Sequence, residues 1–229
     1  IPSAVNWNFT GQQEEQAKEM AFLSKALLIA LFMIFLIIVS QFNSVSTPFV
    51  IGFSVVFSLI GVLLGLVVFQ MEFVIIMTMI GIISLAGVVV NNAIVLIDYT
   101  NLLRARRRAA LGFGEGQSAE EDTKLPFTEV NTAIIQGGKT RLRPVLLTAI
   151  TTVLGLLPLA IGLNIDFVGL VTNYNPNIYV GGDNNVFWKP MSWAIIFGLT
   201  FATFLTLIIV PVMYWWIERT TYKLAGRGV

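Results

Sequence analysis

Gly87-Val88-Val89-Val90-Asn91-Asn92-Ala93-Ile94-Val95-Leu96-Ile97-Asp98 sets two adjacent carboxamides inside an apolar run that extends from Phe73 to Tyr99. A helix of that length crosses a membrane, since roughly 20 apolar residues span a hydrocarbon layer of about 30 Å. Water does not reach that layer to satisfy an amide. Polar side chains placed there turn to the interior of a bundle or line a wet cavity. Asn91 and Asn92 are therefore the first candidates for a functional role.

Four further runs share the length and apolarity of this one. The five spans read as Ala21–Gln41, Pro48–Phe69, Phe73–Tyr99, Pro144–Ile165 and Met191–Ile217. Pro48 and Pro144 each open a run, where the missing N–H costs nothing. Composition agrees: 56% of the 229 residues are hydrophobic and 12% are charged, against about 25% charged in globular chains, and the mean hydropathy is +0.81. Five such runs in so short a chain leave too little polar surface for a soluble protein. The fold class is an all-α, polytopic membrane bundle of five helices.

Lys and Arg set an orientation. Arg104, Arg106, Arg107, Arg108, Lys124, Lys139, Arg141 and Arg143 lie between the third and fourth spans, and Arg219, Lys223 and Arg227 follow the fifth. These eleven of the fourteen basic residues then share one side, which the positive-inside rule assigns to the cytoplasm. The N-terminus falls outside and the C-terminus inside. Residues 1–20 form an outer lead-in, 21–217 the bundle, 166–190 an outer loop and 218–229 an inner tail. The start, Ile1-Pro2-Ser3, has neither Met nor a basic n-region and reads as an internal cut rather than a signal peptide. Asn8-Phe9-Thr10 matches a glycosylation acceptor, a tripeptide that is frequent by chance.

The inner connection 104–142 carries a solvated stretch, Gly112–Gly116 with Glu120-Glu121-Asp122, then a short amphipathic helix over 126–137. Pro126 starts that helix and Gly137-Gly138 ends it; Phe127, Val130 and Ile134 share a face that can lie flat on the inner leaflet. The Arg104–Arg108 cluster reads as a stop-transfer anchor facing anionic lipid rather than as a nucleic-acid patch. In the outer loop Phe167, Tyr174, Tyr179, Phe187 and Trp188 suit the aromatic belt of a membrane interface.

Seven-residue spacing puts Ser84, Asn91 and Asp98 on one face of the third span, with Asn92 turned by about 100°. Asp98 sits near the inner end, where a charge is cheap. The fourth span adds Thr148, Thr151 and Thr152. Thr200, Thr203 and Thr206 of the fifth read as ordinary helix threonines that bond to their own carbonyls. Gly61 and Gly65 form a small-xxx-small packing pair. No enzyme constellation is visible. Cys and His are absent, which removes thiolate and imidazole metal sites, and Gly112–Gly116 lacks the Lys-Ser/Thr that a phosphate-binding loop needs.

Gly87–Asp98, followed by Thr140-Arg141-Leu142-Arg143-Pro144-Val145-Leu146-Leu147-Thr148 and Leu154-Gly155-Leu156-Leu157-Pro158-Leu159, closely resembles the resistance–nodulation–division efflux permeases. The match is to the last five helices of twelve, and it runs from Trp7–Gly11 to Pro211-Val212. The resemblance implies a proton-driven antiporter of the bacterial inner membrane that works as a trimer, joined to a periplasmic adaptor and an outer-membrane channel. Its proton is carried by two carboxylates of the N-terminal repeat, which this chain would need as a partner in cis or as a separate chain. The resemblance puts Asn91 where the family often has a lysine, Thr148 at the eleventh-helix threonine and Arg141 on the inner proton route. An amide donates to an ionised carboxylate and accepts from a protonated one, so coupling survives without an ion pair.

The expected proton-relay set is thus Asn91, Asn92, Thr148, Arg141 and Asp98, with protons as coupling ion, no other cofactor and no metal. The expected partners are the N-terminal repeat and membrane lipid, without nucleic acid. A lipid-exporting or protein-translocating permease of the same superfamily is the alternative within transport. A non-transporting membrane scaffold is the alternative outside it.

Overall fold

The computed structural model describes residues 11–42, 46–111, 125–174 and 176–224. The acceptor tripeptide Asn8–Thr10, the stretches Gly112–Gly116 and Glu120–Asp122 read as solvated, and the end of the tail lie outside them. Five helices are long and apolar enough to cross a membrane: α1 Gln12–Phe42, α2 Ser46–Val68, α3 Ile75–Ala110, α4 Phe127–Ile161 and, after a short α5 at Phe167–Asn173, α6 Asp183–Leu224. Between α4 and α6 two short strands, β1 Leu163–Asn164 and β2 Tyr179–Val180, pair antiparallel with Leu163 opposite Val180. The all-α membrane bundle read from the sequence is the fold observed.

Every long helix except α2 outruns its apolar stretch. Helical hydrogen bonds are satisfied within the segment whether lipid or water surrounds it, so the helix continues where apolarity stops. At the start of α1 the pair Lys18–Glu14, 2.7 Å apart at i,i+4 spacing, supports the polar extension. The largest departure is in α4. The separate helix expected over 126–137 does not exist, because Phe127 to Ile161 is a single helix through Gly137 and Gly138. Gly137 does not act as a stop. It is buried, and a Cβ there would lie 2.6 Å from Oγ1 of Thr100, so the missing side chain lets α4 close on α3. Pro144 lies inside α4 rather than at its start, and membrane helices tolerate such prolines where nearby hydroxyls and neighbours compensate the freed backbone.

The centre of the bundle is α6, which packs against α2, α3 and α4. Small residues make this possible, as lipid offers no hydrophobic push and helices must gain by close contact. A Cβ at Gly61 or Gly65 would overlap Phe201 or Phe197; one at Gly198 would overlap Leu85 and sit 3.1 Å from the Ser58 carbonyl. On α3, Gly81 approaches the Met191 carbonyl in the same way, at 3.0 Å. The core falls into two groups. One gathers Ile51, Val55, Leu96, Ile97 and Val210 toward the arginine-rich end, the other Val62, Leu85, Val89 and Leu199 toward the opposite end. By contrast, α1 buries only Leu23 and Ile38.

These contacts separate two glycine types. Gly198→Ala forces α6 away from α2 and α3 and lowers the thermal midpoint of the detergent-solubilised chain, followed by helical circular dichroism. Gly52→Ala, whose Cβ meets nothing within 4 Å, leaves it unchanged or raises it, as alanine is favoured over glycine in a helix by about 1 kcal/mol.

Candidate functional site

The polar positions of α3 and α4 are brought to one level by contacts nearer the arginine-rich end. Arg107 donates to Glu129 at 2.5 Å and to Gln136 at 2.9 Å, Gly137 abuts Thr100, and the Arg141 guanidinium lies 4.4 Å from the centre of the Tyr99 ring. The two helices are therefore antiparallel. Asn91 is eight residues from Tyr99 and Thr148 seven from Arg141, distances of about 12 and 10.5 Å along each axis at 1.5 Å per residue. Val89 and Ala149, next to these positions, belong to one core cluster. Asn91 and Thr148 thus share a level.

Asn91 is exposed, together with Ser84, Gly87 and Asp98 on the same stripe of α3, and Thr148 and Thr151 are exposed on α4. The threonines bond to their own helix: Thr148 donates to the Pro144 carbonyl at 2.9 Å, Thr151 to Leu147 at 2.9 Å and Thr152 to Thr148 at 2.8 Å. A hydroxyl that donates to the backbone still has lone pairs, so Thr148 presents an acceptor to whatever lies beyond. The Asn91 side chain makes no hydrogen bond among the described residues, leaving both amide hydrogens and its oxygen open on that face.

Asn92 does not join this face. It is only 8% exposed, and it lies seven residues from Leu85 on the stripe that faces α6. Asp98 shares the exposed stripe two turns toward the arginine-rich end. Arg141 is half-buried against Tyr99. Of the five expected relay residues, Asn91 and Thr148 lie exposed at one level, Asp98 and Arg141 lie toward one end, and Asn92 points elsewhere.

The arginine cluster departs from its reading as a lipid anchor. Arg104 is 6% exposed and grips Glu218 of α6 with both ends of its guanidinium, at 2.7 and 3.2 Å. It also donates to the Tyr214 hydroxyl at 2.5 Å, and that hydroxyl donates to Asn101 at 2.7 Å. Arg107 is engaged by Glu129. Nearby, the Tyr222 hydroxyl donates to the Leu125 carbonyl at 2.8 Å, and Phe127 packs edge-on against Tyr222 with ring centres 5.5 Å apart. This clasp joins α3, the start of α4 and the end of α6. Its one signal in the sequence is Glu218, the acidic residue at the close of the last apolar run.

At the opposite end Asn164 donates to the carbonyls of Gly162 and Gly181, at 3.1 and 2.5 Å, and closes the small hairpin. Trp193 ties α6 to the Ala160 carbonyl at 2.9 Å. The aromatics Phe167, Tyr174, Tyr179, Phe187 and Trp188 are all exposed there. Among the described residues no group of three or more acidic side chains could hold a metal ion.

Known proteins resemble this chain in sequence and in fold. A model of the AcrB/AcrD/AcrF family matches residues 1–218. The swarming motility protein SwrC of Bacillus subtilis is 35% identical over 93% of this chain and 17% of its own length. The multidrug resistance protein MdtC of Erwinia tasmaniensis is 27% identical over 96% of this chain and 18% of its own. The cobalt-zinc-cadmium resistance protein CzcA of Cupriavidus metallidurans is 26% identical over 93% of this chain and 16% of its own. A crystal structure of a heavy metal efflux pump superposes with a TM-score of 0.66 at 25% identity, covering 95% of this chain and 18% of the pump. The chain spans under a fifth of the length of these relatives.

The clasp carries a stability prediction. Arg104→Ala strands Glu218 in a poorly solvated position and destabilises the bundle by about 3 kcal/mol, the scale for breaking a buried ion pair on one side. Adding Glu218→Gln to that variant recovers part of the loss. A double-mutant cycle on denaturant unfolding in detergent reads the coupling; strictly additive effects would remove the clasp.

Proposed function

The chain belongs to the AcrB/AcrD/AcrF family of the resistance–nodulation–division superfamily, and from that premise we propose that it supplies the last five membrane helices of a proton-driven efflux transporter. MdtC, CzcA and the heavy metal efflux pump are named for resistance or efflux, as transporters rather than enzymes would be. In this reading the arginine-rich end is cytoplasmic and the membrane is the bacterial inner membrane. The working unit is a trimer coupled to a periplasmic adaptor and an outer-membrane channel.

The observation that supports the reading best is the exposed polar stripe of Ser84, Asn91 and Thr148. Amides and hydroxyls are poor neighbours for acyl tails, so the stripe is the face on which an N-terminal repeat docks. The carboxylates of that repeat complete the relay. When they are ionised, the Asn91 amide donates to them; when one is protonated, the Asn91 carbonyl oxygen and the Thr148 lone pairs accept from it. Protonation thereby changes the contact between the two halves, and α3 and α4 respond. Asp98 and Arg141 lie on the inner side of this exchange, and the rigid clasp at Arg104 transmits the response to α6.

Asn91→Leu in the complete transporter keeps membrane insertion and expression but cuts resistance and dye efflux by about tenfold or more. That is the scale of one lost hydrogen bond to a charged group, roughly 1.5–3 kcal/mol. Thr148→Val gives a smaller loss, as the hydroxyl already donates to the Pro144 carbonyl and offers the relay only an acceptor. Resistance at the wild-type level in Asn91→Leu, at equal expression, would end the relay assignment.

A further inference from the structure

Asn92 and Thr206 are two buried polar side chains on one seam, neither with a hydrogen-bond partner among the described residues. α3 and α6 run side by side in the same direction. Gly81 lies against Met191 and Ala194, Leu85 against Gly198, Asn101 and Arg104 bond to Tyr214, and Arg104 bonds to Glu218. Partners in these pairs are 110 to 114 positions apart in sequence, and Thr206 follows Asn92 by 114. The two residues therefore occupy the same level. Asn92 shares a face with Leu85, two turns away, and that face meets α6.

Burial makes the Thr206 hydroxyl expensive as it stands, whereas Asn92 is 8% exposed and its amide is not wholly shielded. Thr206 is 3% exposed, and its Oγ1 is shielded from solvent without a partner. Several other hydroxyls of this core bond to their own backbone: Thr203 donates to Leu199 at 2.6 Å, Ser58 to Val55 at 2.6 Å, and Thr100 to Leu96 at 2.9 Å; Thr78 of α3, fully buried, shares the unpartnered state of Thr206. Thr206 has the same option in the Ala202 carbonyl one turn back and does not take it. A threonine that gives up its back-bond inside a membrane bundle needs another partner, and an amide needs several.

We propose that the α3–α6 seam binds an ordered water bridging the Asn92 amide and the Thr206 hydroxyl. Water fits because it donates and accepts at once, and buried waters in proteins make two to four such bonds to otherwise unsatisfied groups. A cation does not fit, since both groups are neutral and the acidic side chains nearest along these helices, Asp98 and Glu218, are respectively exposed and held by Arg104. The water pins the rotation of α3 about its axis and so fixes the direction of Asn91 on the opposite side. The site depends on none of the transport reading.

A density map of the full-length protein at a resolution that shows ordered water tests the proposal. The expected result is a single peak within hydrogen-bond reach of both Asn92 and Thr206. Thr206→Val, isosteric and correctly inserted, loses that peak and melts a few degrees lower in a fluorescence size-exclusion assay, while Thr206→Ser keeps both. A direct bond between the two side chains, a dry seam, or a Thr206→Val protein that melts at or above the wild-type temperature would overturn it. Because no reading here involves efflux, a failed relay and a failed water site remain distinguishable.

Discussion

Hydrocarbon cannot form hydrogen bonds, and this one fact sorts every polar group in the bundle. Backbone groups close on themselves along five long helices. Small hydroxyls follow the same rule when Ser54, Ser58, Thr100, Thr148, Thr151, Thr152 and Thr203 donate to carbonyls of their own helix. Such bonds cost the bundle nothing in specificity and carry no message between helices. What remains after this sorting includes the ionic clasp at Arg104, the inward Asn92, Thr206 and Thr78, and the outward stripe with Asn91. Each of these needs a partner on another element, so each is a point where helix position and chemistry are tied.

Packing decides where those points fall. Glycines at 61, 65, 81 and 198 draw α2, α3 and α6 together, and Gly137 draws α4 onto α3. With α6 enclosed on three sides, the face of α3 that bears Asn91 and the flank of α4 that bears Thr148 are left open. The opening is a consequence of which side chains are small and not of the polar residues themselves. In the proposed transporter it is the surface that receives the acids of the other repeat, and the clasp makes α3, α4 and α6 respond together.

Much of the fold was legible because apolarity over about 20 residues has few other meanings. The ends of the helices were not. Nothing in the residues themselves separates a glycine pair that stops a helix from one that admits a neighbour, and Gly137 proved to be the second kind once Thr100 stood beside it. Arg104 was misread for a similar reason: its partner Glu218 lies 114 residues away, beyond any local pattern. Within the Asn91-Asn92 motif the sequence marked two amides inside an apolar run but could not say which of them faces outward. That choice depends on the direction from which α6 approaches, and a rotation of about 100° between neighbours separates the two roles.

In the proposed transporter the stripe through Ser84, Asn91 and Asp98 is covered by protein rather than lipid. Spin labels placed singly along 84–98 in the reconstituted full-length protein report this through collision with molecular oxygen, which concentrates in the acyl region. Oxygen-accessibility minima at 84 and 91 are the expected result. Maxima at these positions, recurring every seven residues, would show the stripe facing lipid and contradict it.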